Sequence, residues 1–257
     1  MAELLKHDSV GTSAKDNGSD TALMWEPFVA KLLQRNRVEV NARDNNGLTA
    51  LMRARYSGHE AVVAELLTHG SVDVTNLKDR RGFTALFWAS DQGHDAVVTK
   101  LLKHGSLEVN AEDDVGFTAL LHASRNGREA IITELLKHDR VDVNAEDNCE
   151  NTPLIYASRN GHEAVVAELL KHESVDANTK ERSTGRTALM WASLNGHEAV
   201  VSELLTDDSV GVNTKDTSGR TALSCASCQG NEKVVTRLLK DDSVAINAND
   251  NCARGRP

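Results

Sequence analysis

A block of about 34 residues recurs along nearly the whole chain and restricts it to a repeat architecture. Typical copies are TALFWASDQGHDAVVTKLL at 84–102 and TPLIYASRNGHEAVVAELL at 152–170. The opening threonines are 28, 35, 34, 34, 35 and 34 residues apart: Thr21, Thr49, Thr84, Thr118, Thr152, Thr187 and Thr221. A period near 33 residues is typical of a helical solenoid. Because recurring residues are explained by the scaffold, function is sought in the positions that vary.

Each copy predicts a turn, a helix, a second turn and a second helix. Asp and Gly precede the threonine, as in DDVGFT at 113–118, and both favour a tight turn. Thr suits the N-cap of the first helix, and a later glycine suits a left-handed C-cap. The second helix, EAVVAELLKH at 163–172, begins with an acid and ends with bases, as the helix dipole favours. We therefore expect helix pairs from about residue 49 to 240 and almost no strand.

The pattern DxxGxTALxxASxxGHEAVVxELL resembles the ankyrin repeat over essentially the entire chain. The resemblance implies an all-α, ankyrin-type helical repeat solenoid with β-turn fingers. It also implies that the first helices and the fingers line a concave groove, with the second helices behind them. The family's usual proline after the threonine is kept only at Pro153.

We predict a single solenoid domain over residues 1–257, with two irregular places. The copy at Thr21 lacks about six residues, so its helices are expected to be incomplete and residues 1–35 to pack less regularly. Glu150 replaces the finger glycine, which predicts a strained or altered turn there. The predicted divisions are a partial repeat at 1–20, a shortened repeat at 21–48, and repeats at 49–83, 84–117, 118–151, 152–186, 187–220 and 221–257.

Composition favours a soluble, intracellular binding protein. The formal net charge is −9, which repels phosphate backbones, so we expect no nucleic-acid partner. No run of 18 apolar residues is present and the start is charged, so we expect neither a membrane span nor a signal peptide. The four cysteines show no framework of paired spacings. We expect a monomer in the cytoplasm, with the nucleus as the other option.

Motifs for catalysis are missing from the sequence. It has no glycine-rich phosphate loop, no GxSxG elbow and no kinase signature set. Nine of the ten histidines recur at fixed repeat positions, which favours structural or capping roles over metal binding. Cys225 and Cys228 form a CxxC without a second pair nearby, which is weak evidence for a metal or redox site. We expect no enzyme activity, catalytic residue, cofactor, metal or small-molecule substrate.

Aromatic and arginine side chains vary at positions that the resemblance places on the groove. Trp and Tyr dominate binding hot spots, and arginines could engage carboxylates of an acidic partner. Two alternatives stay open: the rings form a packed inner layer, and the arginines pair locally or are merely solvated. Arg55 shares this surface. The candidate partner-binding residues are Arg53, Tyr56, Phe83, Trp88, Phe117, His122, Arg125, Tyr156, Arg159 and Trp191.

The sequence thus predicts a non-catalytic scaffold that binds an unidentified partner protein through the concave groove. The alternative is a structural spacer or recruitment arm from a longer multidomain protein, such as a kinase or a ubiquitin-ligase adaptor.

Overall fold

The structure is a computed structural model that describes residues 33, 39–56, 59–68, 72–73, 77–104 and 106–246. The chain divides into two compact units, residues 1–114 and 115–257. That the repeats form one solenoid domain over 1–257 stays a prediction. The predicted irregularity at residues 1–35, within the shortened repeat at 21–48, lies almost wholly outside the described residues.

Twelve helices have both ends within the described residues, and they follow one another in pairs. In the first unit these are α1 (Ala50–Tyr56), α2 (Glu60–Thr68), α3 (Ala85–Gln92) and α4 (Asp95–Leu102). In the second unit they are α5 (Ala119–Arg125), α6 (Glu129–Leu136), α7 (Pro153–Asn160), α8 (Glu163–Leu170), α9 (Ala188–Asn195), α10 (Glu198–Leu204), α11 (Ala222–Gln229) and α12 (Glu232–Leu238). Extended pairing among the described residues is limited to one isolated bridge, Arg43 with Thr49. The predicted all-α repeat solenoid is confirmed.

A threonine caps each first helix, as predicted. Thr152 Oγ1 accepts a hydrogen bond from the backbone N–H of Ile155 at 3.3 Å, which satisfies a donor that the helix start leaves unpaired. At the other end, Gly161 is left-handed, with φ of 79°. The same threonine bond recurs at Thr49, Thr84, Thr118, Thr187 and Thr221.

Like helices pack on like helices within each unit. In the first unit α1 packs on α3, and α2 packs on α4. In the second, α5, α7, α9 and α11 pack in succession, and α6, α8, α10 and α12 do the same. The second helices bury their Val and Leu stripe, as at Val165, Val166 and Leu169. None of the helices in the described residues is long and apolar enough to cross a bilayer.

Neighbouring repeats are joined by hydrogen bonds between their fingers and loops, in addition to the packing of their helices. The backbone N–H of Asn148 donates to Val115 O at 3.2 Å, and Thr217 N–H donates to Thr184 O at 2.9 Å, so neighbouring fingers share a backbone bond. Asn178 Nδ2 donates to Ser209 O at 2.7 Å, and its Oδ1 accepts from Gly211 N–H at 2.6 Å. Asn144 and Asn213 make the same two bonds to the loops that follow them.

The finger turn at Glu150 is strained rather than altered, because Glu150 N–H donates to Asp147 O at 2.8 Å just as Gly219 N–H donates to Asp216 O at 2.9 Å. Glu150 has φ of 62° and is the one non-glycine residue with positive φ in the described part of the chain. Its carboxylate lies 2.8 Å from the guanidinium of Arg182, an exposed ion pair that contributes little stability. The carboxylate therefore gains a local partner while its backbone occupies a conformation that suits glycine.

Candidate functional site

An aspartate organises each finger and thereby positions the candidate site residues. Asp147 Oδ1 accepts backbone hydrogen bonds from Cys149 at 2.8 Å and Asn151 at 2.9 Å. These bonds close the turn, as short acidic side chains do at turn starts. The same pair of backbone bonds is made by Asp44, Asp79 and Asp216.

The second oxygen of the aspartate accepts a hydrogen bond from a predicted groove residue nine positions later, on the first helix that follows the finger. Tyr156 Oη donates to Asp147 Oδ2 at 2.6 Å. Trp88 Nε1 donates to Asp79 at 3.2 Å, and Arg53 donates to Asp44 at 3.0 Å. These three side chains therefore brace their own fingers. This role was not predicted from the sequence, although Asp44, Asp79 and Asp147 each precede a donor side chain by nine residues.

Two repeats depart from this arrangement. In the repeat at 221–257, Cys225 occupies the donor position, and Asp216 of the preceding finger instead accepts a hydrogen bond from Arg220 Nε at 3.0 Å. The finger that precedes the repeat at 187–220 is one residue longer, and Glu181 replaces its aspartate. Trp191 Nε1 is buried there without a hydrogen-bond partner.

Glu181 does not accept a hydrogen bond from Trp191, because its carboxylate already accepts hydrogen bonds within its own finger. The backbone N–H groups of Ser183 and Thr184 each donate to it at 2.7 Å, and both hydroxyls donate as well. Burial raises the pKa of Glu181, but these hydrogen bonds outweigh burial and lower the pKa to about 2. The indole N–H of Trp191 is therefore the donor that this longer finger leaves unmatched.

In the first unit, the candidate residues are largely packed. The Trp88 side chain is only 8% exposed, and its ring centroid lies 5.2 Å from that of Phe83. Arg81 covers this pair, 4.5 Å from the Phe83 centroid. Trp88 is thus buried in the free chain, as the packed-layer alternative describes, and its role in partner binding stays a prediction. The side chains of Tyr56 and Arg55 lie outside the described residues.

In the second unit, Phe117 is buried and forms the base of a ring cluster. It is 6% exposed, with centroids 4.7 Å from His122 and 5.2 Å from Tyr156. The packed-layer alternative therefore also describes Phe117, whose role in partner binding stays a prediction. His122, Tyr156 and Trp191 remain half-buried, so each of them keeps an accessible edge. The packed-layer alternative thus describes Trp88 and Phe117 better than the other three rings.

Arginines lie over the accessible rings of the second unit. The guanidinium carbon of Arg125 lies 5.7 Å from the Phe117 centroid and 5.9 Å from that of Tyr156. The Trp191 ring lies between two guanidiniums, Arg159 at 4.3 Å and Arg186 at 4.8 Å. These separations are typical of cation–π contacts, which hold a guanidinium without neutralising it.

Arg125 and Arg159 are exposed, and neither forms an ion pair within the described part of the chain. Arg186 differs, because its Nε lies 3.6 Å from an Asp216 oxygen. Local pairing is therefore correct for Arg53, which pairs with Asp44, whereas for Arg125 and Arg159 the described residues leave the solvated alternative open.

The phenol of Tyr156 remains a neutral donor. Burial raises its pKa, and the hydrogen bond to the Asp147 carboxylate raises it further, while Arg125 and Arg159 act in the opposite direction. Both guanidiniums thus lie close enough to influence the same ring. We define the arginine–aromatic surface as His122, Arg125, Tyr156, Arg159 and Trp191, all of which lie in the second unit.

The histidines after the capping glycines connect neighbouring repeats. His162 Nε2 lies 3.0 Å from Arg125 O, and His197 Nε2 lies 3.0 Å from Arg159 O. This confirms the structural interpretation for these two histidines. It also fixes the carboxyl ends of α5 and α7, which carry the two exposed arginines.

No group of three or more metal-ligating side chains comes together in the described residues. Cys225 is buried and Cys228 is exposed. Burial raises the pKa of the Cys225 thiol, which makes it less reactive.

Comparisons with known proteins agree with this architecture. The family model described as ankyrin repeats (3 copies) matches residues 26–113, 106–181 and 164–250. The crystal structure of EF0377, an ankyrin repeat protein, is similar with a TM-score of 0.69 and 26% identity, covering 79% of this chain and 99% of that chain. No curated protein matches at a significant level.

Ankyrin repeats are in general non-enzymatic modules for protein–protein interaction. The matched residues span most of the chain, and the helix pairs and capped turns that carry the match are present in the structure. The chain therefore belongs to the ankyrin repeat family.

Proposed function

We propose that this chain is a non-catalytic scaffold that binds a partner protein through the arginine–aromatic surface. The proposal rests on the exposure and the ring contacts of Arg125 and Arg159. Both guanidiniums are exposed and lack an ion pair among the described residues, yet each lies against an aromatic ring. Arg, Trp and Tyr are the side chains that dominate binding hot spots.

The proposal narrows the set of residues predicted from sequence. Trp88 and Phe117 are buried, and Arg53 is paired with its own finger, so these three residues support the scaffold. Tyr156 contributes to both roles, because its hydroxyl braces the finger while its ring underlies Arg125. The proposed contact residues are thus concentrated in the repeats from 118 to 220.

The test compares proteins captured by the wild-type chain with those captured by Trp191→Ala. Loss of a hot-spot aromatic costs about 2 kcal/mol, so we expect roughly thirtyfold weaker capture of a specific partner. Trp88→Ala is the matched control, because it removes the same ring from a buried position. That control should lower the melting temperature more, while its folded fraction should still capture the partner.

Equal capture by the wild-type chain and by folded Trp191→Ala would contradict the proposal. It would favour the alternative, in which the repeats act as a spacer or recruitment arm.

A further inference from the structure

The arginine–aromatic surface carries positive charge in a chain whose formal net charge is −9. Three guanidiniums approach its rings, those of Arg125, Arg159 and Arg186. An exposed positive cluster on an acidic chain selects anionic partners by electrostatic complementarity.

Three finger carboxylates around these rings, those of Asp147, Asp216 and Glu181, already have partners within the chain. Asp147 is buried and accepts bonds from Tyr156, Asn151 and the finger backbone. Asp216 is held by Arg220 at 2.9 Å, with Arg186 at 3.6 Å. Glu181 is satisfied within its own finger. Internal acids therefore leave the charges of Arg125 and Arg159 for an external carboxylate.

The two arginines are also restrained before any partner arrives. Each stacks on a ring, and the backbone carbonyl of each is held by two side chains of the next repeat. Arg125 O lies 2.8 Å from Asn160 Nδ2 and 3.0 Å from His162 Nε2, and Arg159 O is bonded in the same way by Asn195 and His197. A pre-ordered guanidinium loses less conformational entropy when it binds a carboxylate in a bidentate manner.

The distance between successive repeats sets the spacing that two carboxylates of a partner would need to reach both arginines. Arg125 and Arg159 occupy the same position in successive repeats, on helices α5 and α7, which pack directly. Packed helices lie about 8–10 Å apart. A polyproline II segment has three residues per turn and rises about 3.1 Å per residue, so residues i and i+3 share a face and lie about 9 Å apart.

We propose that the arginine–aromatic surface binds an extended acidic peptide segment of a partner protein, with carboxylates at positions i and i+3 contacting Arg125 and Arg159. This inference rests on the proposed function and specifies the chemistry of the partner. The carboxylates of the segment form ion pairs with these two guanidiniums, whereas Arg186 already lies beside Asp216.

The test is a selection from a randomised peptide library displayed on phage, with the full chain as bait. We expect the selected peptides to be enriched in Asp or Glu at positions i and i+3. A synthetic copy of a selected peptide should then bind Arg125→Gln/Arg159→Gln at least about tenfold more weakly than the wild-type chain. Added salt should weaken binding to the wild-type chain, because it screens exposed charges.

Arg81→Gln is the matched control. Arg81 is exposed and stacks on Phe83 and Trp88, so this change removes the same charge and the same kind of ring contact outside the proposed surface. It should leave peptide affinity unchanged. The melting temperatures of both variants should match that of the wild-type chain, since the substituted guanidiniums of Arg125 and Arg159 make no hydrogen bond or ion pair in the described residues.

The outcomes separate the two proposals. Selected peptides that depend on Trp191 but show no i and i+3 acids, or that bind the double variant normally, would overturn this inference and leave the proposed function standing. A selection in which no peptide depends on Trp191, Arg125 or Arg159 would overturn both.

Discussion

At the scale of single residues, the side chain four positions after each repeat threonine can have two structural roles. It can brace the finger aspartate, as Tyr156, Trp88 and Arg53 do. It can also present a ring beside an arginine, as Trp191 does between Arg159 and Arg186. Variation at this position therefore reflects the hydrogen bonding of the finger and, in the proposed function, also the contacts with a partner.

The first prediction concerns the brace itself. Tyr156→Phe removes the 2.6 Å bond and leaves the buried Asp147 oxygen with one donor fewer, so we expect the free energy of unfolding to fall by about 1–3 kcal/mol. Urea denaturation measures this change. Ser158→Ala is the control on the same helix, because the buried Ser158 Oγ has no hydrogen-bond partner, and its removal should be neutral or slightly stabilising. Equal losses in the two variants would show that the brace contributes nothing.

At the scale of the helix pair, the turn between the two helices depends on a close approach between repeats. Gly161 is left-handed, and a Cβ atom added to it would lie 2.7 Å from His197 Nδ1 in the next repeat. Gly127 stands in the same relation to His162. The glycine thus has two roles. It ends the first helix of its repeat, and its missing side chain leaves room for the histidine of the next repeat, which bonds to that same helix.

A pair of glycine substitutions separates these roles. Gly161→Ala combines the cost of positive φ with a clash, whereas Gly230→Ala has a φ of +71° and nothing within 4 Å. We expect Gly230→Ala to cost about 1 kcal/mol of unfolding free energy, and Gly161→Ala to cost clearly more. Thermal unfolding of both variants is the measurement. If His197 causes the difference, His197→Ala should remove much of the excess in a double variant, and full additivity would argue against the contact.

At the scale of the whole molecule, stability depends on interfaces between adjacent repeats. Like helices stack within each unit, and asparagines such as Asn178 join each loop to the next. In such an array the stability is close to a sum of repeat and interface contributions. Weakening one interface should therefore loosen the chain on one side of it before the rest unfolds.

Asn178→Ala tests this coupling. The change removes the bonds to Ser209 and Gly211, so we expect hydrogen exchange to quicken in residues 206–238 more than in α5 and α6. Ser174→Ala is the control, because that exposed side chain makes no hydrogen bond within the described residues. Uniform quickening along the second unit would indicate a single cooperative block instead.

The sequence predicts the helical scaffold more completely than it predicts the arginine–aromatic surface. The threonine caps, the left-handed glycines, the helix pairs and the strained φ of Glu150 were all predictable, because each depends on local backbone preferences repeated many times. The brace between Asp147 and Tyr156 was not predicted. Its nine-residue separation is visible in the sequence, but only the folded turn brings the two side chains within hydrogen-bonding distance.

The sequence by itself determined the repeat, the order of its helices and the residues that vary between copies, since periodicity and capping are properties of the chain. Tertiary structure decided which variable residues remain accessible. Trp88 and Trp191 occupy the same repeat position, yet Trp88 is buried against Phe83 and bonded to Asp79. Trp191 stays half-buried between two arginines, and its N–H has no partner because Glu181 is used within its own finger. Exposure depends on neighbours from other segments, and no local pattern encodes it.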